Sequence, residues 1–214
     1  MGSRGPMRRL AVCLRAINVG GTGKLTMADF KAMLSGLGFA EPQTLGAAGS
    51  AVIGTDAAPA VIEAQLEAAL NDSFGLATEV MARGHDDLAA VLAANPFAQM
   101  AEDDPGHLLV LFLKGEPQPA GVARLREKIV GPEIVEAGPA CLYIAYPAGI
   151  GTSKLTGQVI EKAIGLKGTG RGPGRVARAS VSSPRQLADR HSVRRSCRCF
   201  TLRPRDQEER HDLP

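Results

Sequence analysis

Large apolar residues alternate with small or charged ones at the start of the chain. Leu10, Val12 and Leu14 fall on one face, and Arg9, Ala11, Cys13 and Arg15 on the other. A period of two predicts a strand over residues 8–15. Met27, Phe30, Leu34 and Leu37 then recur at steps of three, four and three, which predicts a helix. Thr26 is its N-cap with Asp29 three residues on, and Gly38 is placed to close it. Residues 43–54 read as a strand pair or one bent strand, punctuated by Gly46 and Gly49. Ile62, Leu66, Leu70 and Phe74 form the next helical stripe, behind Asp56 as cap and Pro59 in the first turn, with Gly75 as its end. Residues 78–83 are a short strand. Strand, helix, strand, strand, helix, strand is the order of a ferredoxin-like unit.

A helix over 86–94 turns Leu88 and Leu92 inward and stops at Asn95-Pro96, with Phe97 as an apolar anchor. Residues 101–106 are acidic and read as a linker. Residues 107–113 are a nearly continuous apolar strand, so both of its faces are expected to be covered. A helix over 120–130 carries Val122, Leu125 and Ile129. Strands over 133–137 and 141–146 flank the Gly138-Pro139 turn. A last helix, capped by Thr152 or Ser153, carries Leu155, Val159, Ile160 and Ile164. The expected fold class is α+β: two ferredoxin-like lobes, βαββαβ then βαββα, with antiparallel or mixed sheets and helices on one face. The lobes span 7–98 and 107–171. Residues 1–6 read as a disordered leader. Residues 172–214 read as a basic tail, disordered or aberrant, because Gly172-Pro173-Gly174 breaks regular structure.

Two strand-to-helix junctions are rich in glycine. The first holds Asn18, Gly20, Gly21, Gly23 and Lys24, and the second runs over 147–154 with Gly149, Gly151, Ser153 and Lys154. Backbone N–H groups converging ahead of a helix favour anions. The first junction nevertheless fails the P-loop spacing, since Asn18 stands where the leading glycine belongs and Leu25 follows the lysine. It fails the dinucleotide fingerprint because Thr26 replaces the third glycine. Two readings stay open: demanding turns, with Asn18 and Ser153 as caps, or a shared cleft for a small anion.

The net charge of +3 is split along the chain. Residues 1–167 hold 14 Lys and Arg against 17 Asp and Glu, a net of −3, whereas 168–214 hold 11 Arg, no Lys and 5 acids, a net of +6. An acidic body argues against duplex DNA as its partner and leaves nucleic acid as a partner for the tail alone. The absence of tryptophan, with only eight aromatics, argues against a stacking platform for single strands. No apolar run is long enough for a membrane span. Four cysteines make no disulfide framework, and a cytoplasmic setting is expected. His191, Cys197, Cys199 and His211 match no zinc spacing, so no metal or cofactor is expected. No nucleophile triad is legible, and neither His85 nor His107 shows an acid partner in sequence.

The stretch from Leu14 to Gly21, Leu-Arg-Ala-Ile-Asn-Val-Gly-Gly, with Met27-Ala28-Asp29-Phe30 behind it, resembles the opening signature of a bacterial family, domain of unknown function 1697. Asn95-Pro96-Phe97, Tyr143, Tyr146-Pro147, Ser153-Lys154 and Gly168-Thr169-Gly170-Arg171 match that family further on, so the resemblance spans 7–171. The family usually has glycine where Ala16 stands, and Ala48 and Ser50 replace its Ser and Asn. Its closing Asn-Trp helix is absent here, which motivates an out-of-frame reading of the tail. The resemblance implies a two-lobed α+β fold and no established activity. The residues expected to meet an anionic ligand, a nucleotide or phosphorylated metabolite, are Arg15, Asn18, Gly20, Gly21, Lys24, Ser153, Lys154 and Arg171. An acyl- or phosphoryl-transfer enzyme in the same cleft and a protein-interaction module are the alternatives. Oligomeric state is not readable from the chain.

Overall fold

The first lobe is built from β1 (Arg8–Leu14), α1 (Met27–Gly36), β2 (Ala40–Thr44), β3 (Ser50–Thr55), α2 (Pro59–Phe74) and β4 (Val80–Gly84). The computed structural model describes residues 7–18 and 25–180. The strands lie in the order β2-β3-β1-β4, each antiparallel to its neighbour. Leu10, Val12 and Leu14 face α1 and α2 in one core with Phe30, Leu34, Ile62, Leu66 and Leu70. Thr26 caps α1 as its hydroxyl accepts from Asp29 N at 3.0 Å and donates to Asp29 Oδ2 at 2.6 Å. Asp56 does not cap α2. The N-cap is Ala58, with no side-chain bond, because Pro59 at the first helical position supplies the helical φ without an N–H to satisfy. Phe74 ends the stripe at the surface, and Gly75 closes the helix at φ 63°.

The second lobe runs one strand beyond the expected βαββα. It holds β5 (Leu108–Leu113), α5 (Pro119–Glu127), β6 (Ile134–Gly138), β7 (Cys141–Ala145), α6 (Gly157–Ile164) and β8 (Gly168–Arg171), in the order β6-β7-β5-β8. All neighbours are antiparallel. Gly168 and Gly170 hid β8 from the pattern, since neither has an apolar side chain. They are there because a Cβ on Gly170 would meet Leu109 at 2.8 Å. Leu155 lies ahead of α6, whose cap is Thr156 and not Thr152 or Ser153.

Between the lobes run α3 (His85–Ala93) and α4 (Ala98–Asp103), the latter followed by a 3-10 turn over Pro105–His107. The acidic stretch expected as a linker is therefore mostly helical. Gly172-Pro173-Gly174 does not end regular structure either. Pro173 opens α7 (Pro173–Ser180), which buries Val176.

Each sheet carries a helix pair on one face. The opposite faces meet in a third core: Ala11, Val52 and Met81 from one sheet, Val110, Phe112, Cys141 and Tyr143 from the other, closed by Leu88 and Val91 of α3 and Val176 of α7. The apolar run of β5 is thus explained, with Leu111 and Leu113 in one core and Val110 and Phe112 in another. The Tyr143 hydroxyl donates to Val91 O at 2.6 Å in this interior. The outer edge of β4 is covered by α2. Glu67 accepts from Val80 N and Glu63 from Ala82 N, both at 2.8 Å, and Lys114 of the second lobe holds both carboxylates. Burial opposes the Lys114 charge, but Glu67 and Glu63 together raise its pKa above the ordinary lysine value.

Candidate functional site

At the first junction the two nominated side chains that are described, Arg15 and Asn18, are held by the protein itself. The Asn18 amide accepts from Leu25 N at 2.9 Å and donates to Leu25 O at 2.9 Å and to Ala47 O at 3.2 Å. It closes the turn from inside. Arg15 makes a two-pronged pair with Glu161 of α6, both contacts at 2.8 Å. Ala16 sits at φ 49°, the left-handed conformation that explains the glycine of the family pattern. Gly20, Gly21 and Lys24 lie outside the described residues.

Arg171 is 6% exposed and reaches across from β8 to this junction. Its Nε donates to Ser50 Oγ at 2.6 Å. Nη1 donates to Thr169 Oγ1 and Gly170 O, and Nη2 to Leu14 O, Ala48 O and Gly49 O. All five N–H groups of the fork are used, and every acceptor is neutral. Burial lowers its pKa, with the Cys13 thiol opposing and Arg175 adding. The hollow beside it, lined by Cys13, Phe112 and Val176 among others, is about 10 Å³, the room of one water. Ser50, flagged as a departure from the family pattern, is one of the six acceptors.

The second junction is arranged differently. Sheet register pairs Leu108 with Ala145 and Ala145 with Ile134. The next row out is therefore His107, Tyr146 and Glu133, at the end of the sheet from which the 147–154 loop leaves. Tyr146 N donates to His107 O at 2.8 Å, extending the ladder by one step. The Ser153 hydroxyl donates to the Glu133 carboxylate while accepting from Leu155 N at 3.0 Å. That hydroxyl, with backbone N–H groups, pulls the Glu133 pKa below the ordinary value. Burial, then the Glu133 charge, pushes the Tyr146 phenol up to about 12. Lys154 is exposed and has no carboxylate partner among the described residues.

His107 has the acid partner that the sequence reading did not find. Its Nδ1 lies 2.6 Å from Asp104 Oδ2. A carboxylate only accepts, so Nδ1 carries a proton toward Asp104, and Nε2 is left without a hydrogen-bond partner among the described residues. The signal was available: Asp104-Pro105-Gly106-His107 folds as one 3-10 turn, which brings residues three apart together. Arg15 and Asn18 share no hydrogen-bond partner with Ser153 or Lys154 among the described residues. Arg15 is joined to α6, the helix that follows the second junction, through Glu161. No cluster of three or more His, Cys, Asp or Glu able to hold a metal occurs among the described residues.

A solved structure is similar in fold: a conserved bacterial protein, SP0830, from Streptococcus pneumoniae. It shares 19% identity at a TM-score of 0.66, covering 81% of this chain and 97% of that one. No curated protein matches the chain. The family model described as protein of unknown function (DUF1697) matches residues 7–143, more than half of the sequence and the part that carries β1, the third core apart from Val176, and the Asp104–His107 turn, so the chain belongs to the DUF1697 family.

Proposed function

We propose that the protein binds a small anionic ligand, a nucleotide or another phosphorylated or carboxylated metabolite, at a glycine-rich strand-to-helix junction. Of the nominated residues, Lys154 would face the ligand at the second junction. Ser153 would hold the loop, and Arg15, Asn18 and Arg171 would frame the first. The observation that carries this reading is the contrast in satisfaction. Lys154 is an exposed cation on the glycine-rich loop itself with no ion pair among the described residues, a state it shares with Lys31, Lys128 and Lys162 on helices or at a helix end, whereas Lys114, Lys167 and Arg15 are ion-paired. Val130, Ile134 and Ile150 add exposed apolar surface on the two segments that the Ser153–Glu133 bond joins. A ligand with a charged end and a carbon body fits that mixture.

The strand order of each sheet supports a ferredoxin-like reading of both lobes. No helix among the described residues is long and apolar enough to cross a membrane, and Cys13 and Cys141 are free and buried, which supports a cytoplasmic setting. Thermal-shift titration with inorganic phosphate, adenosine monophosphate and glutarate tests the ligand reading. At least one is expected to raise Tm in the wild type and to lose that effect in Lys154→Ala. No shift with any of the three counts against it.

A further inference from the structure

We infer that Asp104 and His107 form the proton-accepting centre of the second junction, and that the ligand class is an acyl ester carrying an anionic group. The inference rests on the ligand reading above and adds chemistry to it.

The geometry comes from three observations. First, Asp104 stands at the N-cap of the Pro105–His107 turn, where an aspartate ordinarily accepts from backbone N–H groups, yet it makes no such bond. Its Oδ2 is spent on His107 Nδ1 at 2.6 Å. The carboxylate thus orients an imidazole and does not cap a turn. Second, His107 Nε2 points at the 147–154 loop at its one left-handed glycine. Gly149 has φ 90°, and a Cβ there would stand 3.8 Å from Nε2 and 3.9 Å from Thr152 Oγ1. The missing side chain leaves Nε2 beside a loop that continues through Ile150 and, four residues beyond it, Lys154. Third, Nε2 has no partner among the described residues, and the ring is 39% exposed. An imidazole held by a carboxylate through Nδ1, with Nε2 unpartnered and part-exposed, has the arrangement of a general base.

The step balances with water as the only co-reactant. Nε2 takes a proton from a water molecule as its oxygen bonds to the ester carbonyl carbon. The C–O bond to the alcohol breaks, and the imidazolium returns the proton to the departing oxygen. The products are one carboxylic acid and one alcohol. Lys154 would hold the distal anion, and Ile150 the carbon chain. Asp104 is a positioning residue, acting only through His107.

The test uses the full chain with mono(4-nitrophenyl) glutarate and its neutral counterpart 4-nitrophenyl pentanoate. The wild type is expected to hydrolyse the charged ester at least tenfold faster in kcat/KM. His107→Ala and His107→Gln should each lose tenfold to a hundredfold. Lys154→Ala should raise KM for the charged ester and leave the neutral one unchanged. Asp104→Asn should lower kcat with KM unchanged, and nitrogen-15 NMR should show His107 leaving the single Nδ1–H tautomer. Lys128→Ala, on the surface at the end of α5, should match the wild type. Equal rates for both esters, or full activity in both His107 variants, overturn the inference. Glutaranilic acid, the anilide that does not turn over, separates the two claims. If it binds but the ester is not hydrolysed, the proton-transfer inference fails and ligand binding stands. If neither binds, both fail.

Discussion

The described residues of the first glycine-rich junction spend their polar groups on the protein, and those of the second leave some without a partner. Around the first, the Asn18 amide and the Arg171 guanidinium have every donor occupied, and Glu161 takes the fork of Arg15. Around the second, Lys154 and His107 Nε2 have no hydrogen-bond or ion-pair partner among the described residues. Both junctions show glycine, a hydroxyl and a cation in sequence. A cation beside a glycine turn therefore says nothing about ligands until its donors have been counted. Where they are used up by buried carbonyls, the residue holds the fold.

The largest break in this comparison is expected at Arg171. Truncation to Ala would leave Ala48 O without its donor, remove one of two donors from Leu14 O and from Gly49 O, and break the bonds to Ser50, Thr169 and Gly170 together, and should destabilise by about 3–5 kcal/mol. Arg171→Lys should recover little, because three donors on a point charge cannot replace a planar fork. Urea unfolding measures both. Tyr143→Phe leaves Val91 O unpaired in the third core and should cost about 1–3 kcal/mol by the same measurement.

Backbone conformation sharpens the contrast in opposite directions. Ala16→Gly should stabilise by about 0.5–1 kcal/mol, since φ 49° strains an alanine. Gly149→Ala, at φ 90°, should destabilise by about 1 kcal/mol or more. Paired thermal melts of the two variants read the sign.

The smallest effect is pH-dependent. Glu133 has a folded-state pKa below its ordinary 4.5. Its contribution is present above pH 4.5 and is lost as pH falls through the lowered value. Ser153→Ala removes the first cause of that shift, so it should flatten part of the wild-type decline in stability below pH 4.5. Lys114 works in the other sense. Its raised pKa makes the Glu63–Glu67 clasp fully effective below 10.5 and weaker as pH rises beyond it.

Much of the fold was legible because its helices and buried strands are periodic. The alternation of Leu10, Val12 and Leu14, the stripe of α1 and the left-handed stop at Gly75 are local signals, readable without neighbours. β8 was not legible, since its glycines serve Leu109 and Leu111 on another strand. Nor was α7, whose break-like Gly-Pro-Gly opening becomes a helix start once Val176 has a core to enter. The candidate site was half legible. Lys154 and Ser153 were found, but Glu133 and His107 join them only through the register of β5, β6 and β7.

The chain by itself determined which segments turn, which face of each is apolar, and where glycine must stand, because those preferences are settled within a few residues. Tertiary structure alone decided which cations are free. A guanidinium 121 residues from Ser50 in sequence donates to its hydroxyl, so the state of Arg171 depends on docking two lobes. Charge compensation is a property of spatial neighbours, and only the folded arrangement supplies them.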